Sequence, residues 1–275
     1  MAFTSALKLL KSSASAIYHR LYVRAFLAEF ISTFAILAFV NGLIAQAVLT
    51  DGEKGSGVAP KWGAFVAAMS GILIACGASG AHSNPAFSLL FALRGILPWA
   101  KLPVYWIAQY LGAFCGAAAV LGVYWDAIMF KGNGEFYITN EDPGLAAIFA
   151  TYPLPYVSIA GCIIDQLFGS ALLALCVAAL TDPQNMRIPL PLVALYIGFL
   201  VLELAIGFSL NTGGSPNPAR DLSPRILTYF AGWGIQVFSF RDWTWFWIPV
   251  VIPHIGVVIG YLIYFILIEA HWPAQ

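Results

Sequence analysis

Charge is what this sequence has least of. Only 9% of its 275 residues are Asp, Glu, Lys or Arg, against 60% hydrophobic, and the mean hydropathy is +0.82; a soluble domain carries about 25% charged residues. Thirteen basic and thirteen acidic side chains cancel, with no run of Lys or Arg to track phosphates, so nucleic acid is excluded as a partner. Cysteine is equally sparse. Cys76, Cys115, Cys162 and Cys176 are scattered through apolar stretches without a CxxC pair, so they mark neither a metal site nor a redox motif and read as small buried residues. His19, His82, His254 and His271 have no nucleophile or ligand at a useful spacing, which leaves no catalytic residue, metal or cofactor to suggest an enzyme. No Asn-x-Ser/Thr sequon occurs. The opening segment, with Lys8, Lys11 and Arg20 around Ser12-Ser13-Ala14-Ser15, is too polar for a secretory signal and reads as a tail that stays attached.

Apolar sequence is present in abundance. A helix that crosses a bilayer takes about 20 mostly apolar residues. Six stretches supply them: Ala25 to Leu49, Trp62 to Ala81, Leu102 to Tyr124, Ile159 to Leu180, Leu190 to Leu210 and Phe246 to Ile268. Two further apolar segments, Asn84 to Leu93 and Asn217 to Tyr229, are too short to cross. Each opens on the same box, Asn84-Pro85-Ala86 and Asn217-Pro218-Ala219, 133 residues apart (217 − 84). Asn is a favoured N-cap and Pro suits the first helical position, so each box predicts a helix start. Irregular backbone at membrane depth survives only inside protein or along a water-filled cavity. The two short helices are therefore expected to re-enter the bundle, meet within it and line a pore.

The duplication extends beyond the boxes. Glu29 in Ala28-Glu29-Phe30-Ile31-Ser32-Thr33 and Gln166 in Asp165-Gln166-Leu167-Phe168-Gly169-Ser170 hold matching places in the first and fourth spans. Three spans per half is an odd number, so the second half inserts upside down as an inverted repeat. The expected fold is an all-α membrane protein of six transmembrane helices plus two re-entrant half-helices. A tail covers 1–21 and a single channel domain 22–271, with repeats at about 22–126 and 159–271 joined by a loop over 127–158. Gly112 and Gly116 in the third span, and Gly256 and Gly260 in the sixth, predict close helix crossing. Seven basic residues, Lys8, Lys11, Arg20, Arg24, Arg94, Lys101 and Arg187, fall on one side against Lys54, Lys61, Lys131 and Arg241 on the other. That bias puts both termini in the cytosol, for a multi-pass protein of the cell membrane.

With these features the chain resembles the major intrinsic proteins, the aquaporins, from about Arg24 to Ala270. Within them it is similar to the aquaglyceroporin branch. Asp221 follows Arg220, the long loop contains Phe149-Ala150-Thr151-Tyr152-Pro153-Leu154-Pro155, and Phe230-Ala231-Gly232-Trp233-Gly234 follows the second half-helix. The resemblance implies a homotetramer in the bilayer with one pore per protomer, passing water, glycerol and other small neutral solutes downhill, urea and larger polyols among the candidates. It implies a ladder of carbonyl acceptors at Gly80, Ala81, His82, Ser83, Gly213, Gly214, Ser215 and Pro216. A polyol needs one, because a buried hydroxyl without a partner costs about 1–3 kcal/mol. It also places Glu29, Gln166 and Asp221 as supports of the re-entrant loops and Arg220 in an outer selectivity filter. In glycerol-conducting relatives two aromatics and a glycine face that arginine. Here the matching positions are Ala64, Ala205 and Gly214, so a wide filter is expected unless Trp62 or Phe208 swings in.

Charge supports the same reading. Two half-helices meeting by their N-termini place about half a positive charge each near the midplane, and the amides of Asn84 and Asn217 aim donors at the same place. A water held by both must turn its hydrogens outward, which breaks a proton-hopping chain, and Arg220 adds a fixed barrier. A secondary transporter would share inverted repeats and broken helices, but the boxes provide no counter-moving carboxylate; a structural junction protein would conduct nothing. His82 and Glu29 form a candidate pH sensor, in which a protonated ring drawn to Glu29 widens the neck and acid raises glycerol flux. Glu203 lies two residues from Ala205 and so faces away from any pore that Ala205 lines; a packed or protomer-facing hydrogen bond is expected for it.

Overall fold

Proline and glycine punctuate the chain where the bundle turns. The computed structural model describes residues 21–55, 57–214 and 216–273. The tail lies outside them except for Leu21, as does Ser215 of the expected carbonyl ladder. The helices are α1 (Leu21–Leu49), α2 (Ala59–Ser79), α3 (Pro85–Leu93), α4 (Leu102–Val123), α5 (Trp125–Lys131), α6 (Ile159–Leu180), α7 (Leu190–Phe208), α8 (Pro218–Thr228), α9 (Gln236–Ser239) and α10 (Ile248–Leu267). Pro60, Pro103 and Pro249 sit in the first turn of three long helices, and Pro85 and Pro218 in that of the two short ones, where a missing N–H costs nothing. The second span stops at Ser79, two residues earlier than expected, because Gly80 turns left-handed (φ 91°) and its N–H caps the Cys76 carbonyl.

Among the described residues five helices are each long and apolar enough to cross a bilayer, and a further one, α7, has 19 residues, about 28 Å at 1.5 Å per residue. α3 and α8, of 9 and 11 residues, are about half that length. Polar side chains are gathered inside the bundle, and large apolar ones also cover its outer surface. Glu29, Gln109, Gln166, Asp221 and Arg225 are buried, whereas Leu73, Val123, Ile164 and Leu267 are exposed on the outside of the bundle, as a hydrocarbon surrounding requires.

The two halves use the same device to close. A Cβ on Gly112 or Gly116 of α4 would strike the carbonyl oxygens of Phe30 or Phe34 in α1. A Cβ on Gly256 or Gly260 of α10 would strike those of Leu167 or Ala171 in α6. Each glycine pair thus lets two backbones touch, and the pairs α1/α4 and α6/α10 occupy equivalent places in the repeat. Between the halves, Gly198 of α7 lies under the Phe65 ring of α2, which also packs on Phe199 at 4.8 Å.

Enlarging these glycines forces the backbones apart. Gly116→Val is expected to lower the thermal midpoint in detergent, at a cost of about 1–3 kcal/mol or more. Gly122→Ala, in the same helix with nothing within 4 Å of its Cβ position, should leave it unchanged or raise it. Equal midpoints for both variants would show that α1 and α4 do not meet at Gly116.

Candidate functional site

The two boxes form the site's centre. Asn84 and Asn217 hold extended backbone (φ −155° and −136°) and cap α3 and α8: the Asn84 side-chain oxygen accepts from Ala86 N–H at 3.0 Å, and that of Asn217 from Ala219 at 3.1 Å and Arg220 at 3.3 Å. Each amide nitrogen then reaches across. Asn84 Nδ2 donates to the Pro216 carbonyl and Asn217 Nδ2 to the Ser83 carbonyl, both at 2.9 Å. This reciprocal exchange ties the two re-entrant loops together through the box amides. One hydrogen of each is committed to the opposite loop, and one remains on a residue that lines the cavity.

That cavity, about 1080 Å³, runs from Gly57, Pro60 and Lys61 at one end, past Asn84 and Asn217, to Thr181, Asp182 and Arg187 at the other. Its apolar wall comes from side chains such as Ile36, Val40, Leu173 and Ile197. The re-entrant loops supply the polar wall. Of the eight carbonyl-ladder residues, Gly80, Ala81, His82, Ser83, Gly213, Gly214 and Pro216 line the cavity. Left-handed backbone at Ala81 and Ser83 (φ 49° each), Gly213 (88°) and Gly214 (57°) makes these loops irregular, a conformation that costs a non-glycine residue about 1–3 kcal/mol and persists only under restraint.

The restraint on the first loop is Glu29. Its fully buried carboxylate accepts from Ser79 Oγ (2.6 Å), His82 N–H (3.0 Å), Ser83 N–H (2.8 Å) and Gln109 Nε2 (2.8 Å). The second loop is held differently. Gln166 donates to Thr212 Oγ1 at 2.8 Å while its side-chain oxygen has no partner among the described residues, and the carboxylate is supplied by Asp165, which accepts from Thr212 Oγ1 and from Asn211 Nδ2. Asp165 was not singled out as a loop support from the sequence; a carboxylate inside an apolar span was the available signal. Asp221 supports a third segment. It accepts from Thr151 N–H at 2.8 Å and pairs with Arg225 (Nε to Oδ1 2.9 Å), whose Nη2 returns to the Thr151 carbonyl at 2.7 Å. Asp221 and Arg225 are both fully buried, so they fasten the long loop to α8.

Arg220 is buried, donates through Nη1 to the Phe149 carbonyl and lines the cavity together with Ala64, Ala205 and Gly214. Trp62 and Phe208 lie outside: both are exposed, with edges against Phe65 and Phe168, and neither lines this cavity. Gly214 has no room for a side chain, since a Cβ there would lie 2.8 Å from Ser209 Cα. Glu203 is exposed beside Phe199 and Ile206, with no hydrogen bond within the described residues, which leaves the protomer-facing one of its two expected bonds. Among the described residues no group of His, Cys, Asp and Glu is placed to hold a metal ion.

Comparison with known proteins matches this chain to the family described as Major intrinsic protein over residues 16–264. Aquaporin-9 from Homo sapiens is 44% identical over 247 residues, covering 90% of this chain and 83% of that protein. Aquaporin-10 from Homo sapiens is 39% identical, covering 92% and 83%. The X-ray structure of the aquaglyceroporin from Plasmodium falciparum superposes with a TM-score of 0.79 at 30% identity, covering 90% of this chain and 97% of that one.

The buried pair at Asp221 gives a stability test. Asp221→Asn leaves Arg225 charged and unpaired in the interior, which should cost about 3–5 kcal/mol. Glu141→Gln in the exposed loop should stay within about 0.5 kcal/mol of the parent. Thermal unfolding in detergent compares the two, and a similar midpoint for both would remove the fastening role of Asp221.

Proposed function

The chain belongs to the major intrinsic protein family, and we infer from that premise and from the site that it is a passive bilayer channel for water and glycerol. The observation that carries the inference is the open cavity crossed at its middle by two reciprocally capped half-helices. Neutral solutes meet a wall of carbonyl acceptors on one side and hydrocarbon on the other, matching the two faces of a polyol. Ions meet two helix N-termini, each worth about half a positive charge, and then the guanidinium of Arg220. These features support exclusion of protons and cations.

Finer elements belong to the same proposal. Ala64, Ala205 and Gly214 form a wide outer filter beside Arg220, open to urea and to polyols larger than glycerol. The chain works as a homotetramer in the cell membrane with both termini cytosolic, which makes the Asp182 end of the cavity the inner entrance. Glu203 then faces a neighbouring protomer, since an exposed carboxylate among apolar residues of a membrane helix needs a polar partner.

Acid stimulation of glycerol flux is also proposed. His82 lines the cavity with Nδ1 3.3 Å from Ser88 Oγ and its ring stacked on Phe91 at 4.4 Å. A protonated ring becomes a donor at both nitrogens. It then competes for Glu29 with Ser79 and Gln109, and loosens the loop whose N–H groups Glu29 holds.

Stopped-flow shrinkage of reconstituted vesicles tests the channel: water and glycerol should equilibrate without saturation, and an electrogenic current on glycerol addition would overturn the reading. Ala205→Phe is the variant for the filter, since Gly214 has no space. It should reduce polyol flux several-fold and water flux much less, and equal losses would place Ala205 away from the constriction. On acidification from about pH 7.4 to about pH 5.5, the glycerol-to-water ratio should rise in the parent and stay level in His82→Ala. A flat ratio in the parent sinks the sensor while leaving the channel intact.

A further inference from the structure

The inner entrance is bounded by the segment between α6 and α7, of which Thr181, Asp182, Pro183 and Arg187 line the cavity. From Thr181 to Leu190, Asp182 is the one buried residue. The other side-chain hydrogen bonds of Asn185 and Arg187 are local, to the Ala179 and Pro183 carbonyls. The segment is therefore held in place mainly through one carboxylate and its neighbour. Asp182 Oδ1 accepts from Gln184 N–H, and Oδ2 accepts from Tyr264 Oη and Trp272 Nε1, each at 2.8 Å. Tyr264 is in the last turn of α10 and Trp272 follows it near the C-terminus. Beside them Arg94, the C-cap of α3, donates to Thr181 Oγ1 and stands 3.9 Å from Glu269.

We propose that Asp182 is a positioning residue for permeation: clasped by Tyr264 and Trp272, it straps the 181–189 segment to the C-terminal end of the chain and keeps the inner entrance wide enough for glycerol. The inference rests on the channel reading above. A freed segment would let exposed Pro183 and Arg187 swing across the opening, which obstructs a polyol more than a water. Burial by itself would raise the Asp182 carboxyl, but the donors from Gln184, Tyr264 and Trp272 and the charge of Arg94 outweigh it and hold it below the usual range. A carboxyl lowered on folding contributes its stability above the ordinary value and loses it only as pH falls through the lowered one. The strap thus stays closed at about pH 5.5, well above an ordinary aspartate, and is independent of any response from His82.

The test is vesicle flux with limited trypsin digestion of the full chain. Asp182→Ala should lower the glycerol-to-water permeability ratio several-fold and speed cleavage after Arg187. Asp182→Asn, which keeps an acceptor for the two donors, should recover much of the ratio. Trp272→Phe removes one donor near the chain's end with little threat to folding and should act in the same direction, more weakly. Combined with Asp182→Ala it should add nothing, because both act through one contact. An unchanged ratio and cleavage rate in both Asp182→Ala and Trp272→Phe, or additive losses in the double variant, would overturn the strap. If the parent itself passes neither solute, the channel reading fails instead.

Discussion

Everything in this structure depends on satisfying the ends of two short helices in a place without bulk water. The first N–H groups of α3 and α8 have no intrahelical partner, and unsatisfied backbone at membrane depth costs several kcal/mol per group. Asn84 and Asn217 answer this twice over, since each caps its own helix with its oxygen and donates its amide to the carbonyl of the other loop. Neither half can therefore complete its re-entrant segment alone. The same exchange brings the two positive helix ends together, so the feature that makes the fold possible also underlies the proposed barrier to cations.

The irregular loops that feed the half-helices need support of their own, and the two halves provide it with different chemistry. Glu29 collects four donors onto one buried carboxylate, whereas Asp165 and Gln166 share Thr212. A carboxylate that holds backbone N–H groups fixes the loop backbone beside it, which couples a residue outside the cavity to the cavity wall. The Asp221–Arg225 pair extends this to the long loop: Thr151 is bonded through its N–H, its hydroxyl and its carbonyl, the last also to Trp245. Phe149, two residues earlier, then receives Arg220. Arg220 is thus positioned by a loop that is itself anchored to the helix bearing that arginine.

Small residues do two separate jobs. In α4 and α10 they bring helix backbones into contact, and around Arg220 they leave space that side chains would fill. Packing separates the two, because the first set is pressed against carbonyl oxygens and Ala64 and Ala205 face the cavity. In the channel we propose, a wide filter places the weight of solute discrimination on the remaining features, the carbonyl wall and the two entrances.

The sequence alone determined the membrane class, the six spans to within a few residues, both half-helix starts and the paired Glu29 and Gln166 positions. These follow from local patterns: apolar length, Asn-Pro capping and a repeat offset are all legible along the chain. It did not reveal that Asp165 shares the load with Gln166, that Gly214 has no room for a side chain, or that Trp62 and Phe208 stand outside the cavity. Nor did it show where the Asn84 and Asn217 amides donate, to carbonyls 132 and 134 positions away, or that Asp182 meets Tyr264 and Trp272, 82 and 90 positions away. Only the tertiary structure decided these, because a hydrogen-bond partner or a free volume is set by which segments packing brings within about 3 Å, a relation that no periodicity along one chain encodes.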